Sequence, residues 1–278
     1  MRLWPAAASP APAGGSPAER AAAAVAGHCR AVVDAAGAAC VAVKPQLACF
    51  ERLGAAGWAA LAEVARHARA AGLLVLADAK RGDIDVSAAA YGQALVGSTP
   101  TPFGDVEGLG ADAFTASPYM GSDTLEVLVS AARSAGAGMF VLVRTSNRGA
   151  VDVEDLELAS GGPLWGRVAA MVDRLGEAGE ATGGERLSDV GAVVGATAPE
   201  HVARMRELMP RAPFLLPGIG AQGGRVEDLA PAFAPGRAGG LVTASRSIVN
   251  AHESAGGSPA EAARAEAERL RAAAWALV

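Results

Sequence analysis

At 278 residues, with 51% hydrophobic but only 4% aromatic residues, the chain has material for one large α/β domain whose core must be packed from Ala, Val and Leu. A net charge of −5 gives no basic stripe for a phosphate backbone, and the few aromatics give no stacking platform, so a nucleic-acid partner is excluded. No apolar stretch reaches the roughly 18 residues of a membrane span, and Pro5, Pro10 and Pro12 fall where a signal peptide needs its apolar middle, so the expectation is a cytoplasmic protein with no membrane partner. Cys29, Cys40 and Cys49 are odd in number, contain no C-x-x-C pair and lack a histidine at metal spacing, so they read as reduced thiols.

Residues 1–15 are Ala, Pro and Gly with few charges and read as a low-complexity tail. Ser16-Pro17-Ala18-Glu19 has the form of a capping box with proline at the first helical position, and the helix it opens runs to about Ala36. From there short Val, Leu and Ala runs alternate with Gly or Pro turns and Ala-rich amphipathic stretches, the pattern of βα units on a parallel sheet. The predicted strands are 40–44, 73–79, 111–117, 138–145, 191–197, 214–218 and 239–244. Helices are predicted near 55–71, 86–96, 122–135, 163–180, 199–209 and 226–233, and a last one runs from a second capping box at Ser258-Pro259-Ala260-Glu261 to about Trp275. Residues 16–278 form one catalytic domain on this reading. Seven strands are visible where a closed barrel needs eight, and an open doubly wound sheet would tolerate seven, so periodicity alone leaves closure open.

Three charges, Asp78, Lys80 and Asp83, lie at the end of the apolar run 73–77. Strand alternation points Asp78 and Lys80 the same way, and Asp83 follows a turn at Gly82. Two carboxylates so close need a cation between them, and Lys80 is placed to supply it; a strand that ends in a solvated charged loop is the plain alternative. Lys44 closes the strand 40–44 and stands at the same kind of terminus, on the face where barrel active sites lie. The run Pro217-Gly218-Ile219-Gly220-Ala221-Gln222-Gly223-Gly224 follows a strand directly and could bring backbone amides close to an anion. Arg246, after the next strand, would add a bidentate fork, and loops after the last two strands are a recurrent phosphate site in barrels. Thr145-Ser146-Asn147 could read a planar hydrogen-bonding ligand or could simply cap the next helix. His28, His67, His201 and His252 all fall away from strand ends and take no catalytic role.

Asp78-Ala79-Lys80-Arg81-Gly82-Asp83-Ile84 resembles the D-x-K-x-x-D signature of the orotidine 5′-phosphate decarboxylase family, in the form found in its second bacterial subfamily (type 2). Val43-Lys44-Pro45-Gln46, Ala116-Ser117-Pro118-Tyr119-Met120-Gly121, Arg144-Thr145-Ser146-Asn147, Val194-Gly195-Ala196-Thr197 and 216–224 resemble that subfamily in the same order, so the likeness covers about 31–248. The resemblance implies a homodimeric TIM-type (β/α)8 barrel. The enzyme would decarboxylate orotidine 5′-monophosphate to uridine 5′-monophosphate in pyrimidine biosynthesis, with no metal or organic cofactor. It further implies that Lys80 protonates C6, that Asp78 sits against the departing carboxylate, and that Lys44 holds the charge network and the ribose. Asp83 and Ser87 would reach the partner subunit's site, Ser146 would meet the pyrimidine, Pro217 would line the pocket, and Gln222 and Arg246 would hold the phosphate.

Two departures stand out. Asp85-Val86-Ser87 occupies the place where the subfamily commonly has Gly-Ser-Thr, adding a carboxylate beside the network. The family's first strand and its ribose-contacting aspartate have no match, and the expectation favoured here is a coding start upstream of Met1, since a barrel lacking one strand exposes two sheet edges. Two rival readings remain at this point. One is a magnesium-dependent sugar-phosphate decarboxylase of the same superfamily, in which a lysine at position 44 would repel the metal. The other is a catalytically impaired barrel kept for binding or scaffolding.

Overall fold

The computed structural model describes residue 4, residues 14–177 and residues 187–278. In chain order the helices and strands are α1 Pro17–Ala36, β1 Ala42–Val43, α2 Leu47–Glu51, α3 Gly54–Ala70, β2 Leu74–Arg81, α4 Asp85–Leu95, β3 Ser98–Thr99, β4 Val106–Glu107 and β5 Ala113–Ala116. They continue as α5 Ser122–Ser134, β6 Gly138–Arg144, α6 Leu164–Glu177, β7 Val190–Val194, α7 Val202–Leu208, β8 Phe214–Pro217, β9 Gly240–Thr243, α8 Arg246–Val249, α9 His252–Ala255 and α10 Pro259–Trp275. Contacts divide the chain into two compact units, 1–79 with 248–271 and 80–247 with 272–278.

In the first unit the Ser16 hydroxyl accepts from the Glu19 N–H at 3.3 Å and the Glu19 carboxylate accepts from the Ser16 N–H at 2.6 Å, so the capping box that opens α1 is complete. Ala22, Val25, Ala26 and Val33 bury one stripe of α1, and Ala60, Leu61, Val64, Ala65 and Ala68 bury one stripe of α3. Small side chains on both stripes let the two helices pack closely. Strands β1 and β2 pair in parallel with Ala42 opposite Leu74 and Val43 opposite Val75, and the same register returns at Gln46 opposite Asp78. Pro45 interrupts this ladder by lacking a donor, which cuts the predicted strand 40–44 to two residues.

Trp4 departs from the reading of 1–15 as a tail too polar and small to order itself. Its ring is 5% exposed and packs with Ala31, Val32, Ala35, Ile248, Val249 and Ala263. Its Nε1–H donates to the Val249 carbonyl at 2.9 Å, and its backbone N–H donates to His28 Nδ1 at 3.2 Å. Residues 1–3 and 5–13 lie outside the described residues.

The second unit is built on five parallel strands in the order β5-β6-β7-β8-β9. All five residues of β7 are buried, because helices cover a parallel sheet on the side that an alternating strand would show to water. The core strands carry Phe114, Met139, Val141, Phe214 and Leu216, each 1% exposed or less. Arg133 on α5 closes on Asp189 through Nε at 2.6 Å and Nη2 at 3.0 Å, which fixes the entry to β7. The Arg206 guanidinium of α7 is buried over the Phe214 ring and donates to the carbonyls of Met209, Ala212, Ala232 and Gly239 at 2.8 to 3.0 Å. Burial without a carboxylate pulls its pKa down to about 10.

Three features differ from the sequence pattern. Residues Val226–Phe233 form a 3-10 helix rather than an α-helix, since Pro231 lacks the N–H that an α-turn needs and crowds the carbonyl four residues back. Residues 199–209 open as a 3-10 turn over Pro199–His201 before α7 begins. A two-stranded antiparallel ribbon, β3 with β4, lies between α4 and β5, where proline-rich sequence gave no strand signal. Of the helix predicted over 163–180, residues 178–180 lie outside the described residues.

Candidate active site

In the first unit the Lys44 Nζ lies 2.5 Å from Asp78 Oδ2, with the two side chains 16% and 6% exposed. The chain brings them together by register. The Asp78 N–H donates to the Pro45 carbonyl at 3.0 Å, which sets the end of β2 beside the residues that follow β1. A carboxylate this buried keeps its charge only with a partner, and the ammonium supplies it. The sequence pattern casts Lys80 as the cation beside Asp78 and sets Lys44 only at a neighbouring strand end; the ion pair that Lys44 itself makes with Asp78 is what the structure adds.

Strand β2 ends in an unusual backbone. Lys80 has φ of 50°, in the left-handed region that residues with a Cβ seldom adopt, so the pleat that governs 75–79 does not by itself set the direction of the Lys80 side chain. This qualifies the alternation argument, which holds as far as Ala79. The Lys80 N–H donates to Thr115 Oγ1 at 2.9 Å, and Thr115 is 1% exposed, so a buried hydroxyl on β5 pins the strained residue. The Arg81 carbonyl accepts from the Ser117 N–H at 2.7 Å. Past Gly82, Asp83 turns its Oδ1 onto the following Ile84 N–H at 2.8 Å. Asp85 is a second left-handed residue at φ of 39°, and Ser87 is exposed in the first turn of α4. Ile84 and Val86 in this segment are 52% and 83% exposed.

Ser146 and Gln222 meet. The Ser146 hydroxyl lies 3.0 Å from Gln222 Oε1, joining the loop after β6 to the loop after β8. Two glycines make room. A Cβ on Gly195 would stand 2.8 Å from Ser146 Cα, and one on Gly218 would stand 3.0 Å from Ser146 Cβ and 3.3 Å from Gln222 Oε1. Gly218 also has φ of 108°, so the position is closed to other residues on both counts. The Ser146 carbonyl is held by Thr197 Oγ1 at 3.1 Å. Pro217 ends β8, half-buried, and its carbonyl accepts from the Ala196 N–H at 2.8 Å.

The glycine-rich loop differs from the amide cradle that its composition suggests. The N–H groups of Gly220, Gly223 and Gly224 bond to the carbonyls of Gly224, Gly220 and Gly218 at 2.8 to 3.0 Å, so the loop uses these three amides to brace itself. These three amides are therefore not open to an anion, and the candidates left to hold one beside the loop include side chains. Arg246 is exposed at the start of α8 and has no hydrogen bond or ion pair among the described residues. Its neighbour Ser247 abuts Gly220, and Ser247 Oγ and Thr243 Oγ1 are both buried without a hydrogen-bond partner among the described residues. Neither hydroxyl is conspicuous in the sequence, where serine and threonine after a strand read as caps.

The family model for the orotidine 5′-phosphate decarboxylase / HUMPS family matches residues 26–265. An orotidine 5′-phosphate decarboxylase of Deinococcus radiodurans is 46% identical over 236 residues, which cover 85% of this chain and 80% of the relative. One from Rhodopirellula baltica is 43% identical over 225 residues, covering 81% and 72%. Among solved structures, the Leishmania donovani OMP decarboxylase superposes with a TM-score of 0.71 at 34% identity, over 91% of this chain and 89% of that one.

Proposed function

Because this chain belongs to the orotidine 5′-phosphate decarboxylase / HUMPS family, has its TIM-type α/β barrel fold, and is a carboxy-lyase turning orotidine 5′-monophosphate into uridine 5′-monophosphate, we infer that Lys80 is its proton donor. No strand is described ahead of β1.

Loss of carbon dioxide breaks the bond from C6 to the carboxyl carbon and leaves the electron pair on C6. The departing group is neutral, so an enzyme gains most by charge that favours the carbanion and disfavours the bound carboxylate. Asp78 is the anion set against the substrate carboxylate, Lys80 gives its proton to C6, and solvent returns a proton to the amine. Lys44 holds Asp78 ionised and in place and reaches the ribose. Ser146 reads the pyrimidine, Pro217 lines the pocket, and Gln222 and Arg246 take the phosphate. Binding energy from that remote phosphate then serves the reacting centre.

The observation that carries this reading is the buried Lys44–Asp78 ion pair on the strand that bears Lys80 two residues on. It also speaks against the magnesium-dependent rival, since a divalent ion on Asp78 would have to displace an ammonium already 2.5 Å away. The enzyme acts as a homodimer on this reading, with Asp83 and Ser87 completing the partner's site. The exposed Ile84 and Val86 beside them are apolar surface that a second copy would cover. A cytoplasmic location accords with three cysteines that form no disulfide.

The test is turnover of orotidine 5′-monophosphate by the purified chain, with Lys80→Ala, Asp83→Ala and a mixture of the two. The wild type is expected to release carbon dioxide, each variant to be nearly inactive, and mixing to restore part of the rate through heterodimers that hold one intact site. A folded wild type without turnover would overturn the assignment of roles. Subunit exchange verified by mass, with no regained activity, would show that Asp83 does not act across the dimer.

A further inference from the structure

Beyond the residues that would touch substrate, the geometry points to Glu154 as a positioning residue that holds Ser146 in its working orientation. The inference rests on the decarboxylase reading for what Ser146 does, and on the structure for how Ser146 is held.

Strand β6 ends at Arg144, and the chain turns through Thr145, Ser146 and Asn147 into a 3-10 turn over Arg148–Asp152. Three consecutive residues at such a strand end have no ladder to fix them, and their backbone groups need other partners. Glu154 provides two. Its Oε2 accepts from the Thr145 N–H at 2.8 Å, and its Oε1 lies 2.8 Å from the Thr145 hydroxyl. The same hydroxyl lies 2.6 Å from the Asn147 side-chain amide. The atom facing it is Asn147 Oδ1, and since a hydroxyl has one proton to give, the carboxylate is the stronger of the two acceptors competing for it.

The backbone that carries this carboxylate is itself held. Glu154 donates its backbone N–H to Ala150 at 2.7 Å and accepts at its carbonyl from the Trp165 N–H at 2.9 Å, with Trp165 5% exposed. Next to it, Asp155 grips the buried Arg144 guanidinium at Nε and Nη2 at 3.1 and 2.8 Å, while Arg144 Nη1 donates to the Thr145 carbonyl at 2.8 Å. The Arg144 hydrogen bonds hold the Asp155 carboxyl below the usual carboxylate range, so the clamp is ionised at neutral pH. Both the N–H and the carbonyl of Thr145 are thus fixed by residues nine to eleven positions away or by their partner, and Ser146 is the next residue along. From there the Ser146 hydroxyl reaches Gln222 at 3.0 Å. None of this involves a substrate atom; Glu154 acts only through Thr145 and Ser146.

A double-mutant cycle tests it, with Glu154→Ala, Ser146→Ala, the pair together, and Glu154→Gln. Glu154→Ala is expected to lower kcat/KM for orotidine 5′-monophosphate by about tenfold, the scale expected when a catalytic contact is misplaced by less than an ångström. In the Ser146→Ala background the same change should add little, since the group it positions is gone. Glu154→Gln keeps an acceptor for the Thr145 N–H and should recover most of the lost rate. Amide hydrogen exchange gives a readout independent of turnover: Thr145 and Ser146 should exchange faster in Glu154→Ala, while β7 and β8 keep their protection. Losses that multiply in the double variant, or unchanged exchange at Thr145, would overturn the proposal. A wild type that does not turn over the substrate would instead overturn the decarboxylase roles, and exchange would still decide the role of Glu154.

Discussion

Removing the ammonium of Lys44 should destabilise the protein far more than removing a surface lysine. At 2.5 Å, and with an effective dielectric of about 20, the attraction to Asp78 is roughly 7 kcal/mol before the cost of taking both charges out of water is deducted. Lys44→Met keeps the aliphatic stem packed but leaves Asp78, whose side chain is 6% exposed, without the cation. Breaking one side of a buried pair costs about 3 to 5 kcal/mol, and Lys44, at 16% exposed, belongs near the lower end, about 3 kcal/mol. Urea unfolding followed by circular dichroism would measure it, and the double variant Lys44→Met/Asp78→Asn should recover much of the loss because the buried side chain at 78 is then neutral. A Lys44→Met loss below about 0.5 kcal/mol, the size expected for an exposed pair, would refute the claim that this ion pair is desolvated.

Two further outcomes follow from the same geometry. Arg246→Ala should weaken uridine 5′-monophosphate binding, measured by titration calorimetry, by roughly 10- to 150-fold, the equivalent of about 1.5 to 3 kcal/mol for charge-assisted hydrogen bonds; unchanged affinity would remove Arg246 from the phosphate site. Burial lowers the pKa of His28 in the folded protein, so on acidification the unfolded chain takes up a proton near pH 6.5 before the folded one does. The His28 contribution is therefore intact above pH 6.5 and is lost as pH falls from there towards the folded pKa, where protonation also removes the acceptor for the Trp4 N–H. Wild type should lose more stability between pH 7.5 and 5.5 than His28→Gln, and equal losses would contradict this.

The parts of the fold that could be read from sequence are those whose causes are local. The first capping box, the seven parallel strands and the nearness of Lys44 to Asp78 all follow from side chains near one another in the chain or from strand termini that a parallel topology must align, although the sequence points to Lys80 rather than Lys44 as the cation beside Asp78. The Ser258 box is half formed, with the Glu261 N–H donating to the Ser258 hydroxyl and that hydroxyl donating to the Glu261 carboxylate. What sequence could not show depends on acceptors brought from a distance. Arg206 looks like any helix-surface arginine until carbonyls from 209, 212, 232 and 239 converge on it. Glu154 sits in an acidic run that reads as solvated loop, and its meaning comes from a turn that folds it back on Thr145. Glycine content likewise signals that a backbone is free to turn, but not whether the amides so exposed face a ligand or one another.

The left-handed backbone at Lys80 sets evolution and engineering at odds at this one position. A residue with a side chain pays about 1 to 2 kcal/mol for that conformation, whereas glycine adopts it without the steric penalty. Selection for thermal robustness alone would drift towards glycine there and discard the amine. If that amine is the proton donor proposed above, a screen that ranked variants by melting temperature would favour chains that had lost it.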